Sequence, residues 1–174
     1  MRKAIMCVAA VTLVVSATVA GVRSPRAAQA NPSAPQASPA SVEAPNFILQ
    51  DLSGKARSLK DYRGKVVYLY FTTTWCPYCK KDIPNLKRLH ASLKGRPFEI
   101  VAVYVNESVS KVRWFAQKYE LPYTVLVDDD AQVARLYGVQ GVPLRIVLDA
   151  SGGVDCYRCA SAEDSITRLL KKAR

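Results

Sequence analysis

A single histidine, His90, is all the imidazole in 174 residues. That excludes a histidine-rich metal centre, and any Ser-His-Asp mechanism would have to run through this one residue. Acids are scarce too: 14 Asp and Glu stand against 25 Lys and Arg, a formal charge of +11. No dinucleotide fingerprint or phosphate loop occurs, and no long Lys/Arg run of the kind that marks a nucleic-acid surface, so no nucleic-acid partner is expected. Five cysteines are too few for a disulfide-dense miniature scaffold, and 49% hydrophobic with 22% charged residues excludes a wholly disordered chain. What these absences leave is one globular domain with extras, whose chemistry must come from cysteine.

The N-terminus stands apart. Met1–Lys3 is basic, residues 4–22 are uncharged, and Arg23 and Arg26 follow. Residues 1–30 read as a signal peptide with a small-x-small site at Ala28-Gln29-Ala30 or Thr18-Val19-Ala20, or else as an uncleaved membrane anchor over residues 4–22. Both readings put the rest outside the cytoplasm, soluble in the periplasm or tethered to the inner membrane, with membrane contact only if the segment is uncleaved. Cys7, inside the apolar run, reads as small filler. Residues 31–45 are a Pro/Ala/Ser-rich linker without apolar periodicity, and residues 46–174 form the domain.

Within the domain, 47–49 and 57–59 suit the arms of a hairpin around Asp51-Leu52-Ser53-Gly54. The continuous run 65–71 suits a buried central strand, and Ile83, Leu86, Leu89 and Leu93 share one face of a helix that starts at Pro77. A strand over 98–104, a helix over 109–119, a strand over 124–127 and a short helix over 129–137 follow. Strands at 144–148 and 154–158 and a last helix from Ser161 complete the order. The alternation predicts an α/β fold with parallel strands, helices on both faces and an antiparallel edge from the final hairpin.

The chemistry lies in Trp75-Cys76-Pro77-Tyr78-Cys79, between the strongest strand and the first long helix. Two cysteines three apart in a first helical turn share a face and can form a disulfide. The helix dipole favours a Cys76 thiolate, so Cys76 is the expected nucleophile, and Cys79, placed deeper, is expected to resolve the mixed disulfide. A structural disulfide or half of a zinc site are the plainer alternatives. Trp75 either shapes a peptide groove or packs in the core. His90 is too far along the helix to serve Cys76. Asp128, Asp129 and Asp130 read as cap and dipole residues rather than metal ligands.

Ala44-Pro45-Asn46-Phe47, Asp51-Leu52-Ser53-Gly54-Lys55, Tyr62-Arg63-Gly64-Lys65-Val66-Val67, Trp75-Cys76-Pro77-Tyr78-Cys79 and Gly141-Val142-Pro143 together resemble the TlpA/ResA/DsbE group of exported thioredoxin-fold proteins. The resemblance runs through residues 44–174. It implies a thioredoxin fold: a central mixed sheet flanked by helices, with an N-terminal hairpin extension. It also implies a thiol–disulfide oxidoreductase, usually reducing, often serving cytochrome c maturation. Client proteins with cysteines or disulfides and an upstream membrane electron donor would be the partners, and no metal or organic cofactor is expected. Pro143 matches the group's cis-proline, with Val142 offering backbone to a bound peptide, and Pro84 matches a helix-kinking proline.

Three departures follow. Tyr70 stands where thioredoxins bury an Asp. Asp82, three residues past Cys79, is either the base for the Cys79 proton or an ordinary first-turn acid. Cys156 and Cys159 form a possible second disulfide; on a regular strand residues i and i+3 point to opposite faces, so a bulge or turn is required. Structural disulfide, electron relay and zinc site all remain open for them. Two other functions stay in view. One is a thiol peroxidase, for which Thr73 fits the motif but Leu69 replaces its proline. The other is a non-enzymatic metal-binding or chaperone module using Cys76 and Cys79.

Overall fold

The computed structural model of the protein describes residues 42–172. The signal or anchor at 1–30, most of the 31–45 linker and Cys7 lie outside these residues. Among the described residues no helix is long and apolar enough to cross a membrane.

Among the described residues seven strands form one sheet in the order β2-β1-β5-β4-β3-β6-β7. β1 (Ile48–Asp51) and β2 (Ala56–Ser58) make the N-terminal hairpin. Asp51 organises its turn: one carboxylate oxygen accepts from the Ser53 and Lys55 N–H groups at 2.9 and 3.1 Å, and the other takes Arg57 Nε at 2.8 Å. A short 3₁₀ turn (Leu59–Tyr62) follows. β3 (Val66–Thr72) then runs through the middle with all seven residues buried, the pattern of a strand covered on both faces. β3, β4 (Phe98–Val105) and β5 (Thr124–Asp128) are parallel, joined by α1 (Pro77–Ser92) and α2 (Val109–Lys118).

The next connection begins the antiparallel part of the expected mixed sheet. β6 (Leu144–Leu148) is antiparallel to β3, and β7 (Val154–Tyr157) turns back antiparallel to β6. The reason is length. α3 (Gln132–Leu136) has five residues, about 7.5 Å of rise, too little to carry the chain back along the sheet. The chain therefore crosses over at the end where the parallel strands finish, and Leu144 enters opposite Phe71. That crossing brings residues 140–143 beside the end of β3.

Alternation along the strands divides the core. Tyr68, Tyr70, Ile100 and Val147 face α1, α2 and α4 (Ala162–Lys172), while Leu69, Phe71, Leu126 and Ile146 face α3 and the 3₁₀ turn. Asp128, fully buried, caps α3 by accepting from the Val133 and Ala134 N–H groups at 3.1 and 2.7 Å. Sheet pairing also begins earlier than Asn46. Glu43 bridges Gly153, and Ala44 N–H donates to the Gly152 carbonyl at 3.0 Å, so 42–45 belong to the folded part rather than to a free linker.

Candidate functional site

The site sits where the parallel strands end, the usual place for a ligand crevice in an open α/β sheet. β3 delivers Thr72, Thr73 and Thr74 there, all buried. Glu107, two residues past β4, reaches across to them. Its carboxylate accepts the Thr74 N–H at 2.6 Å and the Thr74 hydroxyl at 2.5 Å, and Lys111 Nζ pairs with it at 2.6 Å. Glu107 thus fastens the turn that carries Trp75 and Cys76.

Cys76 is the N-cap of α1, with extended backbone, and Pro77 takes the first helical position, where no N–H is needed. Cys76 and Cys79 are disulfide-bonded with Cα atoms 5.3 Å apart. The Cys79 N–H points at Cys76 Sγ, 3.2 Å away. In the reduced pair this N–H and the positive end of the helix favour a Cys76 thiolate. The expectation that Cys79 would be the deeper of the two does not hold: each is 3% exposed. The segment before β6 covers Cys76. The Val142–Pro143 bond is cis, and the Val142 carbonyl oxygen lies 3.7 Å from Cys76 Sγ. Trp75, 63% exposed, is not a core residue, and Tyr78 is exposed as well.

Asp82 is held in place from two sides. It accepts the Tyr70 hydroxyl at 2.8 Å and pairs with the Arg145 guanidinium. Burial first, and then the carboxylate at its hydroxyl, push the Tyr70 phenol far above its ordinary range, so Tyr70 remains a proton donor. Tyr70 and Cys79 line one narrow enclosed space, which also touches Tyr104 and Tyr123. The residue standing where thioredoxins bury an acid therefore shares a space with Cys79 and a hydrogen bond with an acid supplied by α1.

The second pair, Cys156 and Cys159, is also bonded, with Cα atoms 5.7 Å apart. The required irregularity is present. Pairing of β7 with β6 shifts between Val147 and Leu148, and Arg158 turns through left-handed backbone at φ +56°. His90 is half-buried against the Tyr123 ring, and Trp114 is exposed while Phe115 is core. Among the described residues no group of three His, Cys, Asp or Glu is placed to hold a metal.

Glu107 and Arg145 were not anticipated from the sequence. Each carries a signal in retrospect: an acid at the end of a buried strand, and a lone charge inside the apolar run 144–148. Both need a partner once buried.

The sequence profile of the AhpC/TSA family matches residues 40–156. The thiol-disulfide oxidoreductase ResA of Bacillus thuringiensis subsp. konkukian is 38% identical over 112 residues, 64% of this chain and 65% of that protein. ResA of Geobacillus thermodenitrificans is 38% identical over 111 residues, 64% of each chain. The match thus spans just under two thirds of these curated relatives. Among solved structures, a thiol:disulfide interchange protein DsbE of Chlorobium tepidum superposes with a TM-score of 0.67 at 28% identity, covering 78% of this chain and 97% of that one. A thioredoxin of Neisseria meningitidis gives 0.65 at 28% identity, covering 76% and 90%.

Proposed function

The chain belongs to the AhpC/TSA family of thioredoxin-fold proteins, and on that premise we propose that it is an exported thiol–disulfide oxidoreductase that reduces disulfides of client proteins through Cys76 and Cys79. One observation carries the reading: Cys76 Sγ at a helix N-terminus, bonded to Cys79 and facing the carbonyl that precedes a cis-proline. The relatives' names, ResA and DsbE, support the same activity.

The reaction starts from the dithiol. The Cys76 thiolate attacks one sulfur of a client disulfide, forming a mixed disulfide and releasing the other client sulfur, which takes up a proton. The client backbone lies along Val142 and Pro143, with Trp75 flanking the groove. Cys79 then loses its proton toward Asp82, whose partner Tyr70 lines the same space as Cys79, and its thiolate attacks Cys76 Sγ. The client leaves as a dithiol, and the Cys76–Cys79 disulfide remains for an upstream donor to reduce. Exported cysteine pairs of the cytochrome c maturation type are the client class that the resemblance favours. The N-terminal segment 1–30 supplies export, by cleavage or as an anchor.

The test has two parts. The protein should accelerate insulin reduction by dithiothreitol, and its potential in a glutathione titration should fall near about −270 mV rather than about −120 mV, the values of a reductant and an oxidant of this fold. Cys79→Ala should accumulate a stable mixed disulfide with clients. No acceleration, or no trapped species, removes the reading.

A peroxidase is the second reading. It is favoured by Thr73, whose buried hydroxyl has no hydrogen-bond partner three residues before Cys76. Fully buried Leu69 holds the motif's proline position and weighs against it. Rapid peroxide consumption by the reduced protein would reverse the order.

A further inference from the structure

The Cys156–Cys159 disulfide takes no part in the reaction above, and its setting is a poor one for a staple. It closes a ring of four residues, and the entropy that a cross-link removes from the unfolded chain grows with loop length, so this one constrains little. The ring includes Arg158 in left-handed backbone, which a residue with a side chain adopts at a cost.

Its surroundings are instead those of the first pair. A cavity of about 360 Å³ is lined by Gln140, Pro143, Arg145, Arg158 and Cys159, so the proline that follows Val142, whose carbonyl faces Cys76, shares its walls with the second disulfide. The Cys159 N–H donates to the Arg145 carbonyl at 3.0 Å. Arg158 donates to Gln140 Oε1 at 3.0 Å and the Tyr157 hydroxyl to the Tyr137 carbonyl at 2.8 Å, tying the turn between the cysteines to the loop that leads into Pro143.

We propose that Cys156–Cys159 is a second thiol–disulfide exchange site, which takes electrons from a reduced protein dithiol and passes them to the Cys76–Cys79 disulfide of another copy of the chain. The proposal rests on the oxidoreductase reading of the first pair. Transfer runs between copies because Cys156 lies across Val147 from Tyr68, four strand residues, about 13 Å, short of the β3 end that leads to Cys76, too far for sulfur to meet sulfur within one fold.

The donor thiolate attacks Cys156 Sγ, since Cys156 is half-buried while Cys159 is 3% exposed. The Cys156–Cys159 bond breaks, and Cys159 leaves as a thiolate into a cavity that Arg158 also lines, its guanidinium bonded to the neutral Gln140; a cationic neighbour favours that anion and speeds its departure. The donor's second thiol attacks its own sulfur in the mixed disulfide and the donor departs oxidised, so the pair has gained two electrons and two protons. The Cys156 thiolate then attacks Cys76 Sγ of a second copy, and Cys79 leaves and takes a proton. Cys159 resolves the mixed disulfide, which restores Cys156–Cys159 and frees Cys76 as a thiolate.

Two full-length double variants test this. Cys76→Ser/Cys79→Ser keeps only the second pair, and Cys156→Ser/Cys159→Ser keeps only the first. The former, reduced and freed of reductant, is mixed with the latter in its oxidised form; the mixture is quenched in acid, alkylated and read by mass. Matched oxidation of Cys156/Cys159 and reduction of Cys76/Cys79 is expected, at least tenfold faster than with glutathione at equal thiol concentration. Wild-type protein in excess dithiothreitol without denaturant provides a check that needs no variant: the peptide holding Cys156 and Cys159 should become alkylated. No transfer in the mixture, or a peptide protected until the protein is denatured, overturns the proposal. Insulin reduction separates it from the primary reading. If the Cys156→Ser/Cys159→Ser variant reduces insulin but accepts no electrons, the second site alone fails; if wild-type protein does not reduce insulin, both fail.

Discussion

Glu107 acts on a sulfur it never touches. Its carboxylate holds the peptide two residues ahead of Cys76, and removing it leaves a buried N–H and a buried hydroxyl without their acceptor. Glu107→Ala should lower stability by about 1–3 kcal/mol in urea unfolding and slow insulin reduction, while Glu107→Gln, which keeps one acceptor oxygen, should recover part of both. An alanine variant with unchanged rate and midpoint would deny Glu107 this role. Asp82 makes a different prediction, because the proposed mechanism assigns it to the second step. Asp82→Asn should leave mixed-disulfide formation nearly intact, retard its collapse, and move the pH profile of that collapse upward; identical profiles would reduce Asp82 to a helix-turn acid. At this scale the cysteines were legible because their spacing and place at a helix start are written in consecutive residues. The partners that hold them were not, since Glu107 and Arg145 meet Thr74 and Asp82 only once β4 and β6 lie beside β3.

The elements announce themselves through periodicity, and α1, α2, β4 and β6 lie within a residue of where the apolar pattern puts them. The direction of β6 was not written in its own residues. It follows from the length of α3, and a short helix beside a strand does not say from which end the next strand will enter. Two predictions belong here. In the β1–β2 hairpin, the Ser53 hydroxyl first, with Arg57 and backbone N–H groups, holds the Asp51 carboxyl well below the ordinary carboxylate range. Its folded value is below its unfolded one, so its contribution is whole above about pH 4 and disappears as the pH falls further. Asp51→Asn should lower the melting temperature at neutral pH and flatten the acid limb of the stability profile; parallel profiles for variant and wild type would contradict this. In α4, Ile166 is 1% exposed on the face turned toward β3 and β6. Ile166→Ala should cost about 2–5 kcal/mol in urea unfolding, and a loss below ~1 kcal/mol would show that α4 is not part of the cooperative core.

Taken whole, the molecule is strongly cationic, +11 over its full sequence, and several exposed charges gather near the first disulfide: Lys80 and Lys81 follow Cys79, Lys111 backs Glu107, and Arg158 lines the cavity at Pro143. Such a field speeds the approach of anionic partners and is screened by salt. Two client peptides with the same disulfide should therefore differ, the one with acidic flanks being reduced faster at about 0.05 M salt and losing that lead near about 0.5 M. Equal rates at low salt would remove charge from client choice. The crossing that sets Val142 against Cys76 joins residues 66 apart in the chain. During synthesis both reactive sulfurs of the first pair emerge well before the carbonyl that will guard them. A half-made chain thus carries a naked thiol couple, open to stray oxidation and to pairing with neighbours, until the last fifth of its length arrives to cover it.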